Sequence, residues 1–274
     1  AGRLIWRAWR APAYVRRIAE RFAFGLPPLK PGGIWVHAVS VGESIAAAPM
    51  IKALLERYPQ LPITITCMTP TGSERIQALF GGPDYQGRVQ HCYMPYDLPW
   101  AAQRFLNRLQ PGLAVVMETE LWPTWVAQCN KAQVPLVLVN ARMSEKSMHQ
   151  AQRLAWLSRP AYQGLSAVLA QTQADAERLS ALGAKVDGVF GNLKFDAKPD
   201  ATQLALAHTW KQKLKRPVLL FSSSREGEEV MWLDTLQALK DAPLDHRDHL
   251  HAVHWLIVPR HPQRFDDVAT LMAE

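Results

Sequence analysis

Carboxylates stand at the ends of apolar runs in three places along this chain, and each place could support acid–base or anion chemistry. In Gly33-Ile-Trp-Val-His-Ala-Val-Ser-Val-Gly-Glu-Ser44, an apolar run empties into a turn and Glu43 stands where a helix should begin. A carboxylate there can stabilise the helix N-terminus, or it can meet a nucleophile at hydrogen-bond distance and act as a base. Met117-Glu-Thr-Glu-Leu-Trp-Pro123 repeats the pattern with Glu118 and Glu120. Either could bond sugar hydroxyls or orient a base, and Glu120 could equally cap a helix beginning at Leu121. The third place, Phe221-Ser-Ser-Ser-Arg-Glu-Gly-Glu-Glu229, combines hydroxyls, free N–H groups and Arg225 in a turn suited to a phosphate. Pro259-Arg-His-Pro-Gln-Arg264 adds cations at the end of another apolar run.

Two weaker sites share this placement. Thr69-Pro-Thr-Gly-Ser73 offers N–H groups and hydroxyls to a phosphate or sugar, or forms a plain N-cap. Asn140-Ala-Arg-Met-Ser144 adds a guanidinium. The stretch His246 to His254 holds four histidines without the spacing of a zinc pair on a helix, and it reads as a loop. There is no Gly-x-Gly-x-x-Gly and no P-loop, which argues against a dinucleotide enzyme or an NTPase.

The elements that must position these residues alternate along the chain. Apolar runs at 34–39, 62–68, 89–93, 113–117, 135–139 and 167–170 read as strands. Helix-like segments lie between them at about 44–58, 72–80, 98–109, 121–131, 144–157 and 173–182, with Pro49 expected to kink the first or be absorbed near its start. Such alternation implies a parallel sheet covered on both faces, whose ligands bind at the carboxyl ends of its strands. After a strand-like run near Gly188, a linker around 190–200 leads to a second alternation: helix 201–214, strand 217–222, helix 226–239, strand 254–258 and helix 264–274. Two strands are few for a sheet, so this second domain is expected to be incomplete in a chain ending at Glu274.

Composition narrows the class. Of 274 residues, 48% are apolar and 20% charged, the balance of a globular protein with real cores. No run is long enough to span a membrane, and the first residues, lacking a long apolar centre and a small-residue cleavage site, are not expected to be a secretory signal. Three cysteines without Cys-x-x-Cys spacing, Cys67, Cys92 and Cys129, are expected to be buried thiols in a reducing compartment. Residues 1–30 account for +6 of the net charge of +7, which argues against a broad nucleic-acid-binding face. On a helix, Arg3, Arg7 and Arg10 would share an arc of roughly 60°, with Ile5 and Trp9 opposite. That segment suits anionic lipid, or an amphipathic helix docked on its own domain.

Eight strings occur together and in order: His37-Ala-Val-Ser-Val-Gly-Glu43, Met68-Thr-Pro-Thr-Gly-Ser73, Pro95-Tyr-Asp-Leu98, Met117-Glu-Thr-Glu-Leu-Trp-Pro123, Asn140-Ala-Arg142, Leu193-Lys-Phe-Asp196, Glu226-Gly-Glu-Glu229 and Pro259-Arg-His-Pro262. In these the chain resembles the 3-deoxy-D-manno-octulosonic acid (Kdo) transferases of lipopolysaccharide synthesis. The resemblance implies an α/β GT-B glycosyltransferase with two Rossmann-like domains. These would be an acceptor-binding domain over 31–198, preceded by a basic membrane-proximal segment over 1–30, and the beginning of a CMP-Kdo-binding domain over 199–274.

The reaction so implied is inverting transfer of Kdo from CMP-Kdo to the lipid A precursor, with no cofactor and no metal. Glu43 would be the general base, assisted by Glu118 or Glu120. Ser40, Gly42, Thr69, Thr71, Gly72 and Arg142 would face the acceptor. Lys194, Ser223, Ser224, Arg225, Glu226, Arg260 and His261 would face the donor. The partners implied are CMP-Kdo, a phosphorylated lipid A precursor and inner-membrane lipid at its cytoplasmic face, held peripherally or by an anchor preceding Ala1. The family's glycine-rich turn and Asn-Pro-x-Glu segment do not occur, so the 274 residues alone are expected to transfer little or nothing. The readings from other classes are a non-catalytic lipid- or partner-binding module and a GT-B transferase using another nucleotide sugar.

Overall fold

The alternation of apolar runs and helical segments builds, in a computed structural model, two compact units that divide after residue 198. The structure describes residues 17–196, 199, 201–240 and 252–273. The basic helix expected over residues 3–10 and the histidines at 246, 249 and 251 lie outside them.

The first unit is a seven-stranded sheet of β1 (Ile34–His37), β2 (Ile63–Cys67), β3 (Val89–Tyr93), β4 (Leu113–Met117), β5 (Leu136–Ala141), β6 (Ala167–Ala170) and β7 (Val186–Val189). All six pairings are parallel, in the order β3-β2-β1-β4-β5-β6-β7. Because β1 pairs with both β2 and β4, the chain reverses its direction of growth at β1/β4. A crevice at the carboxyl ends of the strands is the consequence in doubly wound sheets.

The helices are α1 (Val41–Arg57), α2 (Pro70–Phe80), α3 (Pro99–Leu109), α4 (Pro123–Lys131), α5 (Glu145–Arg153), α6 (Ala155–Gln163) and α7 (Gln173–Ala181). β1 shows why both faces are covered. Ile34 and Val36 enter one core with Ala46, Ala47 and Ile51 of α1 and Ile76 of α2. Trp35 enters the other with Phe105 of α3 and Trp125 of α4, its ring 5.3 and 5.1 Å from theirs. Every residue of β1 and β2 is buried, as a sheet sandwiched between helices requires.

Three helix boundaries differ from the expected ones for one reason. α2, α3 and α4 each carry proline at the first helical position, where its missing N–H costs nothing and its fixed φ suits the helix. α4 therefore starts at Pro123 rather than Leu121. The helix expected over 144–157 is two helices, broken at Leu154 (φ −110°, ψ 36°). α1 runs unbroken through Pro49, well inside the helix.

The thiols of Cys67, Cys92 and Cys129 are free and buried, and burial pushes Cys67 and Cys129 up to about 12. Beside β3, a 3-10 turn at Ile18–Phe22 is pinned by its charges. Glu20 accepts from Arg17 Nε at 2.6 Å and from the Tyr93 amide at 3.0 Å, and Arg21, 2% exposed, donates to the Met68 carbonyl. Lys30 donates to the Gly87 carbonyl. The described cations of the basic segment thus have internal partners.

The second unit holds α8 (Ala201–Lys213), β8 (Val218–Ser224), α9 (Glu228–Lys240), β9 (His254–Pro259) and α10 (Phe265–Ala273), with β8 and β9 parallel. Among the described residues no helix is long and apolar enough to cross a membrane.

Candidate active site

Glu43 lies in the first turn of α1, directly after β1, on the switch-point side of the sheet. Ser40 is the N-cap and its hydroxyl accepts from the Glu43 amide. In return Glu43 Oε2 accepts from the Val39 amide at 2.9 Å, and Oε1 accepts from the Ser40 hydroxyl at 3.2 Å. This reciprocal arrangement is a capping box in function. Glu43 is therefore a cap, and the same contacts fix its carboxylate at the crevice, where it can also serve as a base.

Its acidity supports the second role. Burial raises the Glu43 pKa to about 7, the nearby Glu120 and Glu118 charges add to the rise, and the bonds from Val39 and Ser40 partly oppose it. A base with a pKa near neutrality combines a usable deprotonated fraction with a strong pull on a proton.

Glu118 follows β4, the strand beside β1. Its backbone takes φ 54°, in the left-handed region, and its side chain is 15% exposed. Two cations face it at 4.0 Å: Arg142, just past β5, and Lys194, in the 3-10 turn Leu193–Asp196 after β7. That turn packs on α1, the helix of Glu43. Lys194, which the resemblance puts with the donor residues, thus stands beside Glu118 and Arg142 in the first unit.

Glu120 does not cap a helix at Leu121. α4 starts two residues later, its N-cap Trp122 makes no side-chain capping bond, and Glu120 Oε2 accepts from Trp122 Nε1 at 2.9 Å. Both acidic residues of this turn are therefore free of a capping role and act on Glu43 through their charge. Replacing Glu118 with glutamine should lower the Glu43 pKa from about 7, by up to about one pH unit, because Arg142 and Lys194 lose their counter-charge as well. Carboxyl-carbon NMR titration of the two proteins checks it; an unchanged or raised value would contradict the assignment.

At the Thr69–Ser73 turn the plain capping reading accounts for part of the site. Thr69 accepts from the Gly72 amide at 3.0 Å, and a Cβ on Gly72 would lie 2.8 Å from the Thr69 hydroxyl. Ser73 is buried between Arg17 and His91. Thr71 and Gly42 are exposed on the surface of the first turns of α2 and α1. His37 is fully buried, held by Thr66, and burial lowers its pKa to about 4, so it is neutral.

In the second unit, the ends of β8 and β9 bring Ser223, Arg225, Glu226, Arg260 and His261 to one edge, all exposed. Ser224 is not available there. It is buried and donates to Glu229 at 2.6 Å, and Glu229, itself 1% exposed, takes two bonds from Arg264 at 3.0 and 2.8 Å. Those bonds pull the Glu229 pKa down to about 2. Ser224 and Arg264 are structural, and the neighbouring exposed groups are the ones that can meet an anion. Among the described residues no group of three or more His, Cys, Asp or Glu could hold a metal ion.

Sequence reasoning passed over Asn140, Gln171 and Asn192 as site residues. Asn140 lies at the end of β5, Gln171 and Asn192 follow β6 and β7, and together they tie the Lys194 turn to the sheet.

A family model described as "3-Deoxy-D-manno-octulosonic-acid transferase (kdotransferase)" matches residues 16–197. A 3-deoxy-D-manno-octulosonic acid transferase of Bordetella pertussis is 43% identical over 236 residues, covering 86% of this chain and 54% of the relative. One of Haemophilus influenzae is 38% identical over 273 residues, covering 96% and 60%. The chain thus spans little more than half the length of these relatives. Among solved structures, it is similar to a UDP-GlcNAc 2-epimerase of Neisseria meningitidis bound to UDP-GlcNAc, with TM-score 0.55, 15% identity, and 86% and 74% of the two chains covered. The corresponding epimerase of Methanocaldococcus jannaschii also gives TM-score 0.55 at 15% identity, covering 89% and 70%. The likeness to solved structures shows the fold, the Rossmann-like α/β architecture of the GT-B class. With the family model and both relatives in agreement, the chain belongs to the Kdo transferase family.

Proposed function

We propose that this chain serves an inverting glycosyltransferase that moves Kdo from CMP-Kdo to a phosphorylated lipid A precursor, with Glu43 as general base. The observation that carries the reading is a carboxylate of pKa about 7 at the β1/β4 switch point, fixed by the Val39 amide and the Ser40 hydroxyl. In the reaction, an acceptor hydroxyl gives its proton to the Glu43 carboxylate as its oxygen bonds to the anomeric carbon of Kdo. The bond from that carbon to the CMP phosphate oxygen breaks, and its electron pair leaves with CMP. Ser223, Arg225, Arg260 and His261 carry the donors that would stabilise the departing phosphate. Arg142 and Lys194, the cations beside Glu118, would orient acidic or phosphorylated groups near the base.

The test is transfer of Kdo from CMP-Kdo to the precursor by the full-length protein, together with the donor that protects it thermally. CMP-Kdo is expected to raise the melting temperature and UDP-GlcNAc to leave it unchanged. Protection by a UDP-sugar alone would favour another donor, and binding without transfer would favour a non-catalytic module.

We propose that the protein works at the cytoplasmic face of the inner membrane. Phe24 and Trp100 are 45% and 47% exposed, their rings 5.9 Å apart, with Arg104 4.3 Å over Phe24. An aromatic pair carrying a cation suits an anionic lipid interface. Sedimentation with vesicles should show binding that needs anionic lipid, weakens with salt, and falls several-fold in Phe24→Ser/Trp100→Ser. Equal binding to neutral vesicles, or none lost in that variant, would contradict this placement.

A further inference from the structure

The four strands on one side of the switch point, β4 to β7, each end in a polar residue, and these residues form a closed circuit. Past β4 stands Glu118, whose carbonyl accepts from the Arg142 amide at 3.3 Å. Two residues before Arg142, at the end of β5, is Asn140, 3% exposed with φ 52°. Its carbonyl accepts from Gln171 Nε2 at 2.9 Å, just past β6. Gln171 Oε1 accepts from Asn192 Nδ2 at 3.2 Å, past β7, and Asn192 Oδ1 accepts from the Lys194 amide at 3.0 Å. Asn140 Oδ1 accepts from the Leu193 amide at 3.1 Å. The ammonium of Lys194 then returns to Glu118 at 4.0 Å.

Each link has a physical reason. Asparagine tolerates the left-handed region better than other residues with a side chain, so Asn140 can turn the chain out of β5 and still offer its amide. The turn at 193–196 has one short helical turn of its own and does not fix its position by itself. Its amides instead bond to side chains anchored at β5 and β7. Leu193 packs against the core beneath α1, so the turn is held from both sides.

We infer that Asn140 is a positioning residue for transfer: through the Leu193 amide and the Gln171–Asn192 pair it sets Lys194 beside Glu118 at the acceptor crevice. The inference rests on the reading of that crevice as the reaction site. An amide network anchored on the buried Asn140 is a rigid support, and a small displacement of a charged group at a reaction site carries a large penalty in rate.

Asn140→Gly tests it, because glycine accepts the backbone conformation and removes only the side chain. In this variant the Leu193 amide, which loses its acceptor, should lose about tenfold of its hydrogen-exchange protection. In the full-length protein kcat should fall roughly 10- to 100-fold with a smaller change in donor KM. Lys194→Met should fall at least as far, and adding Asn140→Gly to Lys194→Met should cost nothing further, since the tether then has no ammonium to place. Should Asn140→Gly fold poorly, Gln171→Met breaks the next link and should show the same coupling. Multiplying losses in the double variant, or full amide protection in the single one, would overturn the inference. Loss of the coupling is distinguishable from failure of the base assignment, which Glu43→Gln tests without touching the circuit.

Discussion

Replacing Glu43 with glutamine should lower Kdo transfer by the full-length protein by roughly 10²–10⁴-fold while leaving the fold at neutral pH at least as stable as before. The two halves of this expectation have a common cause. Burial and the charges of Glu120 and Glu118 lift the Glu43 pKa from 4.5 to about 7, so the folded protein holds the proton more tightly than the unfolded chain does. A raised carboxyl pKa means that stability is fully present below about 4.5 and is lost as pH rises through about 7. Glutamine keeps the oxygen that accepts from Val39 and carries no charge at any pH. The variant should therefore match the parent near pH 4 and exceed it near pH 8 by about 1–2 kcal/mol, once screening at the partly exposed carboxylate is allowed for. Urea midpoints at the two pH values, with rates beside them, check both halves. A variant that transfers at the parental rate would remove Glu43 from the chemistry. One that loses activity and stability together would reduce it to a cap.

The opposition between cap and base in the sequence dissolves once burial is known. Ser40 and Glu43, three residues apart before an apolar helix, are a visible capping signature. Burial raises the pKa first, and the adjacency of β1 and β4 adds the charges of Glu120 and Glu118; strand order is not written in any local pattern. The same limit explains the missed amides. A polar residue at or past the end of each of β5, β6 and β7 is legible one strand at a time, but Asn140, Gln171 and Asn192 become a circuit only because those strands are neighbours.

Other departures were within reach of local chemistry. Pro70, Pro99 and Pro123 mark first helical positions, and reading them so moves the start of α4 to its place and frees Glu120 from capping. The break at Leu154 has no such mark: neither glycine nor proline interrupts Gln152-Arg-Leu-Ala-Trp156. Ser224 departs from the expectation through a long-range contact. A serine in a polar turn offers a hydroxyl to a phosphate, but here it is spent on Glu229, which Arg264, thirty-five residues beyond Glu229, holds with two bonds.

The largest effect on stability is expected at the start of β1, where the strand carrying the site is set in register. Gly32 and Gly33 both have positive φ, 83° and 78°, so alanine at either is strained by the left-handed backbone, by about 1 kcal/mol. Their surroundings differ completely. A Cβ on Gly32 meets nothing within 4 Å, whereas one on Gly33 would lie 2.0 Å from the Pro62 carbonyl oxygen and 2.9 Å from its ring. That oxygen accepts from the Ile34 amide at 3.0 Å, and Gly33's own carbonyl accepts from Gly112 at 2.9 Å. Alanine at 33 must therefore push backbone against backbone at the point where β1 meets both β2 and β4. Gly33→Ala should cost at least about 3 kcal/mol, several times Gly32→Ala, and move the urea midpoint accordingly. Because β1 delivers the chain to Ser40 and Glu43, the surviving folded fraction should also show a displaced Glu43 pKa. Equal costs at the two glycines would mean that β1 can shift against Pro62 freely, and the switch point would then be too loosely built to hold a base in place.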